Sequence, residues 1–277
     1  MIRIDCVSTL GCAELDLDAA IALARRFGLR QLELRALAGR LDLPAYLTEK
    51  FGTPAALAAH LRSSGTTIPI LDTSLSLTDS DARARDDFLA FVPWAEAIGA
   101  RYLRVFDGKR LAPVVPAAAI EDAAATVRWW QRLRADNDWS VDIAIETHEL
   151  LCASADVLRL EERLETPVPI LWDTWHTWFK GGEELGETWN ALRAFIRHVH
   201  IKDGVREPIL KFPYTYCIPG AGEFPLHQLA NLLTPTAYSG SICLEWERLW
   251  HPYLPPLEQA LAVIPPQKIV GRNDGQF

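Results

Sequence analysis

Eight short β-prone runs alternate with longer helix-patterned segments along almost the whole chain, and this repeat constrains the fold more than any other feature. The runs are residues 3–8, 31–35, 68–74, 102–106, 142–146, 170–173, 198–202 and 241–245. Each interval leaves room for one crossover helix and its loops, which is the grammar of parallel strands. Two architectures use that grammar, a closed (β/α)8 barrel and an open doubly wound sheet. The open sheet normally carries a glycine-rich phosphate loop after its first strand. Here the first strand runs into Ser8-Thr-Leu-Gly-Cys12, with neither G-x-G-x-x-G nor G-x-x-x-x-G-K-[ST]. Gly220-Ala-Gly222 follows no strand directly and reads as a turn. The expectation is an α/β protein with a single-domain (β/α)8 TIM barrel over residues 1–264 and a polar tail over 265–277; 277 residues suit one such barrel.

The helical segments carry their own start and stop signals. Leu17-Asp through Phe27 reads as an Asp-initiated amphipathic helix ended by Gly28, and Thr53-Pro54 opens another. Pro93 falls inside the segment 86–98 and predicts a kink or break there. The least regular piece, residues 204–225, follows the seventh strand, where a barrel would place a substrate cover.

Polar and ionisable residues gather where the strands stop. Glu33 and Arg35 end the second, with at most one of them expected to face the barrel, and Arg104 lies in the fourth. Glu146 and His148 end the fifth, Asp173 and His176 the sixth, His200, Lys202 and Asp203 the seventh, Glu245 and Glu247 the eighth. A closed barrel brings these groups together on its carboxyl-terminal face. Three carboxylates and an imidazole, Glu146, Asp173, Glu245 and His200, form an oxygen-rich set suited to Mn²⁺, Mg²⁺ or Co²⁺. The alternative is a salt-bridge network of the same carboxylates with Arg35, Arg104 and Lys202. On pattern alone the two stand level. Trp172, Trp175 and Trp178 read as packing more than as sugar-stacking residues.

Ile143-Ala-Ile-Glu146-Thr-His148, Leu171-Trp-Asp173-Thr-Trp-His176, His198-Val-His200-Ile-Lys-Asp203 and Leu244-Glu245-Trp-Glu247 resemble the motifs of the xylose isomerase-like TIM barrels, in the sugar phosphate isomerase/epimerase group. Leu32-Glu-Leu-Arg35 and Leu103-Arg-Val-Phe106 fit its second and fourth strands. The resemblance implies one divalent ion, Mn²⁺ first and Mg²⁺, Co²⁺ or Zn²⁺ as alternatives, held by Glu146, Asp173, His200 and Glu245. It implies Glu146 and Glu245 as the acid/base pair. It also gives His176 and Arg206 as substrate-binding residues, joined at the barrel mouth by Arg104, His148 and Lys202.

The expected activity is that of a sugar or sugar-derivative isomerase or epimerase working through a metal-stabilised enediolate. One departure matters. Ketose 3-epimerases of this group carry a second Glu six residues after the fifth-strand ligand, where this chain has Cys152. His148 resembles instead the Glu-x-His arrangement of inosose dehydratases, so loss of water is the alternative reaction. A catalytically silent carbohydrate-binding barrel is the alternative of a different class. An endonuclease IV-type enzyme would need more than seven His and a basic surface; 28 Lys and Arg against 36 Asp and Glu, net −8, argue against nucleic acid as a partner. The expected partner is a small carbohydrate or polyol, and a homo-oligomer is compatible with the sequence. No run of about 18 uncharged apolar residues predicts a membrane span, and Arg3 and Asp5 interrupt any leader-like start, which points to the cytoplasm. Five scattered cysteines form no Cys-x-x-Cys pair and suggest neither disulfides nor a thiolate zinc site.

Overall fold

A computed structural model of the chain describes residues 2–234 and 238–264. The expected tail over 265–277 lies outside the described residues. Eight parallel strands form one sheet: β1 (Cys6–Ser8), β2 (Gln31–Glu33), β3 (Ile70–Ser76), β4 (Tyr102–Phe106), β5 (Asp142–Glu146), β6 (Ile170–Asp173), β7 (Ile196–Ile201) and β8 (Ser241–Leu244). Their order is β2-β1-β8-β7-β6-β5-β4-β3. The ring closes through parallel bridges of Gln31 to Thr67 and Leu34 to Leu71, with the Asp72 N–H donating to the Leu34 carbonyl at 2.8 Å. The expected barrel is therefore present. Five of its strands differ at their ends from the predicted runs: β1 starts at Cys6, β2 stops at Glu33, β3 runs from Ile70 to Ser76, β7 from Ile196 to Ile201, and β8 stops at Leu244.

The helices form where the punctuation places them. The Asp16 carboxylate accepts from the Ala19 N–H at 2.9 Å and caps the helix Leu17–Arg26. Thr53 caps Pro54–Ser64, which ends at Gly65 in the left-handed region. Around Pro93 the predicted helix breaks in two, Ala82–Leu89 and Val92–Ile98, with the proline in the first turn of the second, where its missing N–H costs nothing. Among the described residues no helix is long and apolar enough to cross a membrane.

Most apolar side chains pack between strands and helices in one continuous core, whereas Ile70, Ala144 and Leu171 form a separate small cluster with Tyr102 against it. Two residues further along their strands stand Asp72, Glu146, Asp173 and Arg104. Side chains alternate with a period of two, so each strand offers an apolar plug and then a polar group to the same side. Register does the rest: Asp173 lies opposite His200, and His200 opposite Cys243.

After β7 the chain forms a small antiparallel ribbon of Gly204–Val205 with Thr215–Tyr216. The Asp203 carboxylate gathers the segment, accepting from the N–H groups of Gly204 (2.8 Å), Gly220 (2.7 Å), Gly222 (3.0 Å) and Phe224 (3.1 Å). This is the turn expected at Gly220-Ala-Gly222. Its glycine is required, since a Cβ on Gly222 would stand 2.2 Å from Asp203 Oδ1.

Candidate active site

The ends of β5, β6, β7 and β8 bring Glu146, Asp173, His200 and Glu245 together, all buried, with one ligand atom from each lying within 4.8 Å of the others. His200 Nδ1 is 3.5 Å from Glu146 Oε1 and 3.3 Å from Glu245 Oε2. The other ring nitrogen, Nε2, meets Glu33 Oε2 at 2.8 Å. His198 Nε2 reaches the same Glu33 oxygen at 2.8 Å. Glu33 thus faces the barrel interior, and so does Arg35, which lines the cavity above. The expectation that only one of them would face inward is corrected: residues two apart on a strand share a face.

Cations are shared out among the carboxylates. Arg104 Nε lies 3.4 Å from Glu146 Oε2, and its Nη2 lies 3.6 Å from Asp72 Oδ2. Lys202 Nζ pairs with Asp173 Oδ2 at 2.8 Å and also with Glu245 and Glu247. Part of the salt-bridge network considered from sequence is therefore real. It does not balance the charge: Glu33, Asp72, Glu146, Asp173 and Glu245 are buried against only Arg35, Arg104 and Lys202. Counted with every carboxylate ionised and the imidazoles neutral, the site is two positive charges short, an imbalance costly in a space shielded from water that a divalent cation or bound protons would offset. His200 Nδ1, facing Glu146 and Glu245, is also buried without a well-formed hydrogen bond. The donor set and this open nitrogen fit a divalent ion of the oxygen-preferring class.

In the absence of an ion, protons answer the same field. Burial pushes the Asp173 carboxyl up to about 7, against the opposing pull of Lys202. Burial works against a charged His200 ring, but Glu245 and Glu33 hold it well above the usual imidazole range. Glu146 is the contrary case: burial alone would raise it, and Arg104 beside it keeps it well below the usual carboxylate range.

A small inner cavity of about 100 Å³ opens over these groups, with Arg35, Arg104, Glu146 and Glu245 in its wall. It shares His148, His176, Glu247 and Trp250 with an outer cleft of about 580 Å³. Lys211, Phe212 and Tyr214, from the segment after β7, line that cleft, so this segment does cover the site. His176 Nδ1 lies 3.2 Å from the Thr147 carbonyl and 3.1 Å from Asp173 Oδ2, and burial lowers its pKa far below the imidazole norm. His148 packs edge-on against it, ring centres 4.6 Å apart.

Of the residues anticipated from sequence, Glu146, Asp173, His200, Glu245, His176, His148, Arg104 and Lys202 come together. Arg206 does not. It is half exposed, lies over the Trp178 ring at 4.5 Å, pairs with Glu223 at 3.4 Å, and lines neither cavity. Cys152 is buried with its sulfur toward Arg110 and also lines neither cavity. Trp175 packs among Phe179, Tyr214 and Tyr216, as its packing reading anticipated. Glu33, Arg35, His198, Trp250 and His251 were not singled out as site residues. Only the period-two spacing of Glu33 with Arg35 and of His198 with His200 could have pointed to three of them.

The family model described as xylose isomerase-like TIM barrel matches residues 21–266. No curated protein matches the chain in sequence. Among solved structures, the probable 3-DHS dehydratase AsbF of Bacillus anthracis is similar with a TM-score of 0.75 and 16% identity, over 95% of this chain and 98% of that one. The IOLI protein with a bound zinc atom has a TM-score of 0.67 at 16% identity, over 93% and 94% of the two chains. A D-tagatose 3-epimerase-like protein has a TM-score of 0.66 at 14% identity, over 88% and 91%. At such identities these three speak for the fold.

Proposed function

The chain belongs to the xylose isomerase-like TIM barrel family, and from that premise and the site's geometry we propose that it is a divalent-metal-dependent enzyme that isomerises or epimerises a sugar or sugar derivative. The observation that carries the reading is the bracketing of His200 Nδ1 by two buried glutamates, Glu146 and Glu245, each with its own cation. An ion held by Glu146, Asp173, His200 and Glu245, with Mn²⁺ the first candidate and Mg²⁺, Co²⁺ or Zn²⁺ next, supplies Lewis-acid stabilisation for negative charge on substrate oxygens. The zinc named for the IOLI protein supports a divalent ion in a barrel of this fold.

Proton transfer falls to the chain's own residues. Arg104 keeps Glu146 ionised, so this carboxylate accepts the proton from the carbon beside the carbonyl. Glu245, next to the Lys202 ammonium, serves the opposite side of the reacting carbon. His176 is neutral; with Nδ1 turned to the Thr147 carbonyl, its other nitrogen is left to orient a substrate hydroxyl. The covering segment and Trp250 restrict water, which strengthens each of these interactions.

A second reading, dehydration, has its own observation. Cys152 is turned away from the cavities, whereas the His148 imidazole lines both, where it can protonate a departing hydroxyl. The dehydratase name carried by AsbF on the same fold supports it.

Reaction in heavy water separates the two. An isomerase or epimerase introduces solvent deuterium at carbon without change of composition, whereas a dehydratase yields a product lighter by one water. If the Mn²⁺-loaded protein gives neither signature with a panel of ketoses, inososes and hydroxy acids, the proposal fails in favour of a silent carbohydrate-binding barrel.

A further inference from the structure

At the opposite end of the strands from the candidate active site the balance of charge is reversed. Arg101, Arg193 and Arg197 line a cavity of about 430 Å³ together with Tyr102, Trp189 and Tyr238. It lies where β4 and β7 begin and just before β8. An adjoining cavity of about 330 Å³ shares Arg101, Tyr102 and Arg197 with it. Among the described residues none of the three guanidiniums has a carboxylate within ion-pair distance, and Arg197 Nη1 donates to the neighbouring Ile196 carbonyl at 3.0 Å. The carboxylates nearby are engaged elsewhere. Asp142, opposite Tyr102 in the sheet, is held by Arg134 and by Trp130 Nε1, each at 2.9 Å. Asp5, in the wall of the adjoining cavity, accepts from the Ile242 N–H at 2.8 Å.

The lining of the two cavities thus holds three guanidiniums and one carboxylate, an excess of two positive charges in a chain whose net charge is −8. Arg193 follows the last turn of the helix Leu185–Leu192, a position that favours a cation by itself. Arg101 and Arg197 have no such local reason. A concave lining of one sign, set among aromatic rings of low polarity, focuses the field and concentrates counter-ions. Tyr238 is an independent signal in the same wall. Its hydroxyl is buried without a hydrogen-bond partner, and its ring packs edge-on against Trp189 with centres 5.9 Å apart. A buried hydroxyl left unpaired is uncommon and calls for a partner. None of these residues takes part in the chemistry proposed at the other end of the barrel.

We propose that this cavity is a second binding site, for a small molecule that carries a phosphate monoester, with Arg101 and Arg197 holding the phosphate and Tyr238 donating its hydroxyl hydrogen to the ligand. The excess of two positive charges equals the charge of a phosphate monoester dianion, and the planar fork of a guanidinium matches its oxygens. A volume of about 430 Å³ has room for more than a phosphate, so an organic body fills the remainder beside the Tyr102 and Trp189 rings. The site is separate from the metal ligands, and its occupancy does not depend on a metal.

The test is calorimetric titration of the full chain in chelator, so that no metal-bound phosphate contributes, with two matched pairs, AMP with adenosine and D-glucose 6-phosphate with D-glucose, and with inorganic phosphate. At least one ester should bind once per chain, roughly ten- to a hundred-fold more tightly than its unphosphorylated parent, the range for hydrogen bonds to a charged group. Arg101→Gln and Arg197→Gln should each weaken that ester by a similar factor and leave Mn²⁺ affinity unchanged. Both arginines are exposed, so the far-ultraviolet circular dichroism of each variant should match the wild type. Asp173→Asn, at the other end of the barrel, should bind the ester as the wild type does. Esters that bind no better than their parents, affinity that survives both arginine substitutions, or affinity lost in Asp173→Asn would overturn the proposal. Inorganic phosphate binding as tightly as the esters would overturn the organic body assigned to the ligand.

Discussion

Glu33 Oε2 lies 2.8 Å from His200 Nε2, and the two residues are 167 positions apart in the chain. This bond fixes the imidazole ring so that Nδ1 faces Glu146 and Glu245. A carboxylate behind a metal-binding histidine sets its tautomer and raises its basicity. Glu33→Gln should therefore lower Mn²⁺ affinity by roughly 10- to 100-fold while the far-ultraviolet circular dichroism stays that of the wild type. Unchanged affinity in a titration would show that Glu33 does not orient the ring.

Metal binding should also appear as stability. An ion that binds only the folded chain adds about 2.7 kcal/mol at a hundred-fold excess over its Kd. Thermal melts of chelated and Mn²⁺-loaded protein should differ accordingly, and the gain should be absent in Asp173→Asn and in His200→Ala. Retention of the full gain in both variants would mean that the ion sits elsewhere.

Glu146→Gln and Glu245→Gln keep an oxygen for an ion but cannot accept a proton from carbon. Each should lose at least ~100-fold in kcat with a smaller change in KM, in line with the usual share of general acid–base catalysis. A loss confined to KM would assign these residues to binding alone.

Away from the site, Glu161 gives a clean pH signal. Burial pushes its carboxyl up to about 7, with only the Val168 N–H, at 3.2 Å, favouring the charged form. The folded state thus holds this proton more tightly than the unfolded chain does. Stability from the group is complete below the unfolded value near 4.5 and is lost as pH rises through about 7. Glu161→Gln keeps the acceptor, so it should match the wild type at pH 4 and become the more stable protein from pH 7 upward in urea melts. A constant difference across that window would contradict the assignment.

Asp203→Ala removes the acceptor of four backbone N–H groups at once. Hydrogen exchange should accelerate across residues 204–225 while β5 and β6 remain protected, since the barrel ladders do not depend on this carboxylate. Uniform loss of protection would show that the segment is integral to the barrel.

Much of the barrel and the four-residue cluster could be read from the sequence because their signals are local. Strand and helix alternate along the chain, Gly28, Thr53 and Pro93 mark helix ends by their own chemistry, and each of Glu146, Asp173 and Glu245 ends or follows an apolar run. Once the strands close, parallel register carries such residues to one face whatever their separation in sequence. Arg206 shows the limit. It lies in an irregular segment, where position along the chain does not fix direction, and it stacks on Trp178 outside the cavities.

What the sequence by itself determined is the repeat, the caps and the residue types at the strand ends, all set by interactions over a few residues. Pairing was decided only in three dimensions: Glu33 with His200, Arg104 with Glu146, and Lys202 with three carboxylates. The physical reason is that charges were matched across strands far apart in the chain, at distances of a few ångströms that only barrel closure sets. How many carboxylates share so few cations is a property of that closed space.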